Sequence, residues 1–284
     1  FISGSGATDR NETIGPLKPF LTISKAVTDA GYATLRLDDR GTGASKGDAK
    51  TTDLDTEAAD ISAALAWIRT QPELKNLPAG VFGAVALMLT DKRKNYTRPS
   101  FIITYGAPAI KGTDMMLAQV EAMMKGQEPV WQQMKPILSR RYALVASDIP
   151  QQELIDKLTA DVMAQIPEAQ RSNPALKARI DAEVAQMSSI RSLLRYDPSP
   201  LYKDLNTRWI ALYGENDQQA PPDANMLPST VQNIASWIFI PGLNHIGQAT
   251  SNGSPALYTT LGKDVDKSLT DAIVFWLDNI TGNQ

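Results

Sequence analysis

Apolar residues recur along this chain in two rhythms. Between Pro19 and Ala30, Phe20, Ile23 and Val27 fall on one helical stripe, and Gly31 follows as a stop. Between Leu54 and Thr70, Ala58, Ile61, Leu65 and Ile68 repeat in the same way. Short apolar runs bounded by turn residues alternate with these helices. They are Tyr32–Leu37, Gly80–Gly83, Phe101–Tyr105, Trp209–Tyr213 and Trp237–Ile240, each expected to be a strand. Phe1-Ile2 looks like the end of another strand, closed by Ser3-Gly4-Ser5-Gly6. Ala84–Thr90 is apolar and helix-compatible, and Lys267–Leu277 is a terminal helix with Leu269, Ile273 and Trp276 inward. Strands alternating with helices predict an α/β fold: a mostly parallel sheet covered on both faces.

Residues 111–196 break the alternation. Met115–Lys125, Gln151–Gln165 and Asn173–Leu194 are helical patterns rich in Met, Gln and Ala, with no convincing strand among them. They read as an inserted helical cap in a core formed by residues 1–110 and 197–284. Tyr196-Asp197-Pro198-Ser199-Pro200 marks the return to the core, because two prolines forbid a continuing helix.

Composition narrows the chemistry. The 284 residues are 43% hydrophobic and 21% charged, with a net charge of −3. No global field recruits nucleic acid, and no apolar run reaches the length of a membrane span. There is no cysteine, so disulfides, thiolate ligands and thiol nucleophiles are excluded. One histidine and no cysteine make a metal site improbable, and acids such as Asp156 and Asp161 read as solvated helix faces. Gly4-Ser5-Gly6 and Gly41-Thr42-Gly43 complete neither a P-loop nor a dinucleotide fingerprint. No cofactor is expected. The compartment and the oligomeric state stay open, and the start at Phe1, without an initiator methionine, suggests further strand upstream.

The strongest chemical signal is a pair of strand ends. Strand 209–213 is followed by Gly214-Glu215-Asn216-Asp217, and strand 237–240 by Pro241-Gly242-Leu243-Asn244-His245. In an open parallel sheet, functional groups collect at the carboxyl ends of strands. An acid and an imidazole on two such loops can meet, and the carboxylate would then fix the imidazole tautomer. Taken singly, Asp217 is a turn residue and His245 a structural or surface histidine; their order after two strands is what favours chemistry.

Further motifs carry a resemblance. Ser3–Glu12, Lys18-Pro19-Phe20, Leu37–Ser45, Arg195–Pro200, Gly214–Asp217 with Pro221, and Gly242–His245 together resemble a bacterial α/β-hydrolase family of serine esterases, over nearly all of the chain outside the cap. The resemblance implies the α/β-hydrolase fold, hydrolysis of small carboxylic esters, Asp217 as orienting acid and His245 as general base. Backbone N–H groups of Ser5 and Gly6 would serve as oxyanion donors. Asp39 and Arg40 are expected to tie loops together. The cap's methionines, Met115 and Met116 among them, would line an acyl pocket or simply pack helices.

One departure matters. The family carries its serine on a sharp elbow after the fifth strand. Here Gly83 runs directly into Ala84-Val85-Ala86, with no serine and almost no connection. Either a turn bearing the nucleophile belongs between Gly83 and Ala84, or the chain is a hydrolase fold that only binds. The first is the expectation, since such connections usually take about 2–6 residues. A thioesterase or amidase using the same machinery is the nearest variant.

Overall fold

The computed structural model describes residues 1–4 and 6–282. It divides into two compact units: Phe1–Ile110 together with the segment from Pro198 onward, and Lys111–Asp197.

The first unit is built on four strands. β1 (Val81–Phe82), β2 (Phe101–Tyr105), β3 (Arg208–Gly214) and β4 (Ala235–Ile240) pair in that order, every pair parallel. Ile103 lies opposite Ile210, and Ala211 opposite Trp237. β3 is central and buried from Trp209 to Gly214, which is why it reads as an unbroken apolar run rather than an alternating one.

Helices cover the sheet. α1 (Pro19–Asp29) starts on a proline whose missing N–H costs nothing in the first turn. α2 (Leu54–Ile68) is capped by Asp53, which accepts from the Thr56 amide at 2.8 Å. α9 (Lys267–Thr281) is capped by Asp266 and ends on Gly282 in the left-handed region. Ile23 and Val27 of α1, with Leu269, Ile273 and Leu277 of α9, pack on Phe101, Ile103, Ile210 and Leu212 on one face of the sheet. Each fully buried large aliphatic side chain there contributes about 1.5–3 kcal/mol. On the opposite face Trp209 stacks on Tyr202 of the short helix α8 (Ser199–Tyr202) and donates its indole N–H to Thr104.

Tyr32–Leu37, expected as a strand, forms no ladder. It runs irregularly, and its recorded main-chain neighbour toward the sheet is Phe1, whose nitrogen donates to the Leu35 carbonyl at 3.0 Å. The expected strand Gly80–Gly83 shrinks to Val81–Phe82, between two glycines in close quarters. A Cβ at Gly80 would fall 2.0 Å from the Phe101 ring, and Gly83 turns away at φ +150°. Ala84–Thr90 yields only a 3₁₀ helix, Ala86–Thr90.

The second unit is helical: α3 (Gly112–Met123), α4 (Glu128–Ala146), α5 (Gln151–Ala164), α6 (Pro174–Ser189) and α7 (Arg191–Arg195). Tyr142, Val145, Leu154, Leu158, Ile180, Val184 and Leu194 form its core. α4 was not anticipated, because Pro136 sits inside it and proline normally marks a break. The expected helix Asn173–Leu194 is two helices, parted at Ile190. Asp161 is not a solvated acid, since it accepts from Arg141 at 2.7 Å and also from Arg140. Arg141 reaches Glu183 as well, at 3.0 Å. Met116 packs on this unit's core, and Met115 is buried in α3. Among the described residues, no helix is long and apolar enough to cross a membrane.

Candidate active site

The loop after β3 is shaped by contact with the loop after β4. Glu215 N–H donates to Ile240 O at 3.0 Å, and Asn216 N–H to Leu243 O at 2.8 Å. A Cβ on Gly214 would stand 2.4 Å from Leu243 O, so glycine is what lets the loops touch. The chain then turns, and Asp217 N–H bonds back to Gly214 O. The Asp217 carboxylate is buried, and its two oxygens divide the work. Oδ1 accepts from the amides of Gln219 at 2.8 Å and Ala220 at 2.7 Å. Oδ2 is left to face His245 Nδ1 at 2.8 Å. With Oδ1 pinned by main chain, the carboxylate cannot rotate away from the ring.

His245 is carried by a clasp. Buried Asn244 accepts through Oδ1 from the amides of Ile246 and Gln248, at 3.2 and 2.9 Å. Its Nδ2 donates to Gln248 Oε1 at 3.1 Å. Gln248 Nε2 in turn donates to the carbonyls of Tyr258 and Gly262, at 3.0 and 2.7 Å. The Tyr105 hydroxyl, at the end of β2, donates to Asn244 O. Next along β2, Gly106 adopts φ +61°, where a Cβ would lie 2.8 Å from His245 Nδ1 and 2.9 Å from Asp217 Oδ2. Three strand ends thus converge on one acid–imidazole pair. The sequence reading missed Tyr105, Gly106 and the Asn244–Gln248 clasp. The one available signal was the glycine at the end of β2, read only as a strand stop.

Burial disfavours the imidazolium, but the charge and hydrogen bond of Asp217 outweigh it, with help from Glu12, and the His245 pKa is raised above its ordinary value. The ring stays 27% exposed, so a reactant can reach it from solvent. Glu12 is itself constrained. It sits at φ 55° and accepts from the Gly4 amide at 3.3 Å and from the Thr8 hydroxyl at 3.3 Å. Burial is the main reason its carboxyl titrates above the usual range. Of the two expected oxyanion donors, Ser5 lies outside the described residues. Gly6 takes a left-handed φ of +100° with open space where a side chain would be.

The Asp38–Ser45 loop ties neighbouring loops. Asp39 accepts from the Ser3 hydroxyl at 2.6 Å and the Thr8 amide at 2.9 Å. Arg40 forks onto Asp60 with two bonds of 2.6 Å. Three serines of this unit that could be thought of as nucleophiles are engaged in other bonds. Ser3 bonds Asp39, Ser45 bonds Asp38 O at 2.7 Å, and the Ser100 hydroxyl accepts from Ala79 N–H at 3.3 Å.

The sequence has no longer turn after β1. Gly83 passes straight to Ala84, and Ala86 N–H closes the turn onto Gly83 O at 3.4 Å. A glycine at φ +150° reverses the strand at once, and its tight fit against Ile2 O, 2.4 Å from a would-be Cβ, leaves no room for a side chain there. The turn holds no hydroxyl. Among the described residues, no group of three or more His, Cys, Asp or Glu side chains could hold a metal ion.

Residues 7–85 match the family model of X-Pro dipeptidyl-peptidases, the S15 family. No curated protein matches the chain. Among solved structures, an esterase of Pyrococcus furiosus is 13% identical, covering 99% of this chain and 80% of that one, with a TM-score of 0.53. A proline iminopeptidase-related protein of Thermus thermophilus is 15% identical, covering 99% and 89%, with a TM-score of 0.52. An alpha/beta hydrolase from a Penicillium species is also 15% identical, with the same coverage of 99% and 89% and a TM-score of 0.52. At such identities the likeness is one of fold. The chain has the α/β-hydrolase fold, and Asp217 and His245 meet at the carboxyl ends of its parallel strands.

Proposed function

We propose that the protein's site is that of a carboxylic-ester hydrolase, with Asp217 as orienting acid and His245 as general base. The observation that carries this reading is the 2.8 Å contact between His245 Nδ1 and a carboxylate pinned by two amides. That contact leaves Nε2 to take a proton from a nucleophile and return it to the leaving alkoxide. Main-chain N–H groups of the loop containing Ser5 and Gly6 would hold the developing oxyanion. Residues 111–196 are proposed as a cap, a role resting on their place in the sequence. The acyl-enzyme form of this chemistry requires a serine at the turn after β1, and the chain has Ala84 there. With that turn, His245 is left with water as the group it can deprotonate.

A second reading has its own observation: the turn without a hydroxyl favours a hydrolase fold that binds an ester or peptide and does not turn it over. Peptide bonds enter because the partial family match is to X-Pro dipeptidyl-peptidases and one structural neighbour is named for proline iminopeptidase. Hydrolysis of p-nitrophenyl acetate separates the readings. The ester-hydrolase reading expects His245→Ala to abolish turnover above the buffer rate; equal rates in both proteins would remove His245 from the mechanism. A fluorophosphonate probe reports a serine nucleophile, and this chain is expected to stay unlabelled.

A further inference from the structure

Residues 250–262, between the His245 loop and α9, pass against the loop that carries Asp217. Asn216 Nδ2 donates to Thr250 O, and Gly253 comes so close that a Cβ there would fall 1.5 Å from Asn216 O. Tyr258 follows the 3₁₀ turn Pro255–Leu257 and is buried. Its hydroxyl donates to Gln219 Oε1 at 2.8 Å, while its carbonyl accepts from Gln248 Nε2 at 3.0 Å. One residue therefore bonds toward both loops of the site. Gln219 is the residue whose amide pins Asp217 Oδ1 at 2.8 Å, and Gln248 is the residue that holds Asn244, the neighbour of His245. The bonds close a circuit that runs from Asp217 through Gln219, Tyr258, Gln248 and Asn244 to His245, and from His245 Nδ1 back to Asp217 Oδ2. In a closed circuit each bond restrains the geometry of the others, so the contact between acid and imidazole is held from both sides. Burial and the Asp217 charge push the phenol pKa of Tyr258 far up, and the hydroxyl stays a donor across the range in which His245 titrates.

We infer that Tyr258 is a positioning residue for the Asp217–His245 pair and acts through Gln219. Its hydroxyl holds the turn that pins Asp217, and its main chain holds the clasp that carries His245. The inference rests on the reading of that pair as the working acid and base. Its test reads the imidazole without turnover, so its failure and the failure of the ester-hydrolase reading are separate results. The test is an imidazole NMR titration of the whole protein. Tyr258→Phe removes one hydroxyl and keeps the aromatic ring in place. Gln219 is then freed, the grip of its amide on Asp217 Oδ1 slackens, and the acid moves off the imidazole. The His245 midpoint is expected to fall by roughly 0.4 pH unit or more, the equivalent of the weakest coupling between residues of one hydrogen-bond network. Gln219→Ala is expected to lower it by a similar amount, and the double variant by no more than either, because both changes cut the same link. Tyr32→Phe, which removes a tyrosine hydroxyl bond to Asp278 of α9, is expected to leave the midpoint unchanged. Should Tyr258→Phe fail to fold, Gln219→Ala decides alone by the same shift. An unchanged midpoint in the folded variant, additive shifts in the double variant, or an equal shift in Tyr32→Phe would each overturn the inference.

Discussion

His245 is the chain's single histidine, so its titration can be followed without ambiguity. Its pKa is raised because Asp217 wins over burial, and the ring is expected to titrate above 6.5 in an imidazole NMR titration. Asp217→Asn keeps the burial and removes the charge, so the midpoint is expected to fall below that of the parent. The sign for stability follows: the pair's ionic contribution is full below 6.5 and is lost as pH rises through the folded pKa. Glu57 is the opposite case. Burial, reinforced by Asp39, Asp53, Glu12 and Asp60, pushes its carboxyl up to about 8, and its Oε2 is buried without a hydrogen-bond partner among the described residues. Between 4.5 and 8 the folded state then holds the proton that the unfolded state releases, so stability declines across that window. Glu57→Gln is expected to flatten the decline and to stabilise the protein at pH 8 relative to the parent, as measured by urea unfolding at pH 5 and pH 8.

Single residues matter here because strand ends aim them. The carboxyl ends of β2, β3 and β4 supply Gly106, Asp217 and His245, and the parallel register keeps those ends level. Gly106→Ala would place a methyl 2.8 Å from His245 Nδ1 and 2.9 Å from Asp217 Oδ2, on a backbone at φ +61°. The expected cost is about 1–3 kcal/mol from backbone strain alone. The His245 midpoint should also move toward the ordinary histidine value as the ring is pushed off Asp217. A urea melt and the same NMR titration check both effects, and an unchanged midpoint would mean that the loop after β4 yields instead. The acid and the imidazole were legible because each follows an apolar run closed by glycine. Gly106 was not, since what it must avoid comes from loops more than a hundred residues further along the chain. The failure of Tyr32–Leu37 as a strand has the same origin: its alternation suits a sheet edge, but ladder formation depends on the neighbour.

For the molecule as a whole, the two units rest on different physics. The sheet unit buries continuous apolar strands between helices, whereas the helical unit also keeps a charge inside, with Arg141 between Asp161 and Glu183. Arg141→Ala would leave Asp161 with Arg140 as its cation, take the cation away from Glu183 and empty a buried side-chain volume. A loss of about 2–4 kcal/mol is expected, seen as a lower urea midpoint. Arg141→Met, which fills the space without a charge, should recover part of it. What the chain determines by itself is periodicity and punctuation: where most of the helices and the central strands lie, that the sheet is parallel, and which two loops bear an acid and the lone histidine. These are local properties, set by side-chain spacing and backbone preference. Tertiary structure alone decided which oxygen of Asp217 faces the ring, that Gly106 had to be glycine, and that Tyr105 and the Asn244–Gln248 clasp hold the histidine loop. Each of these depends on contacts between segments far apart in sequence, and such contacts are specified by packing rather than by any local pattern.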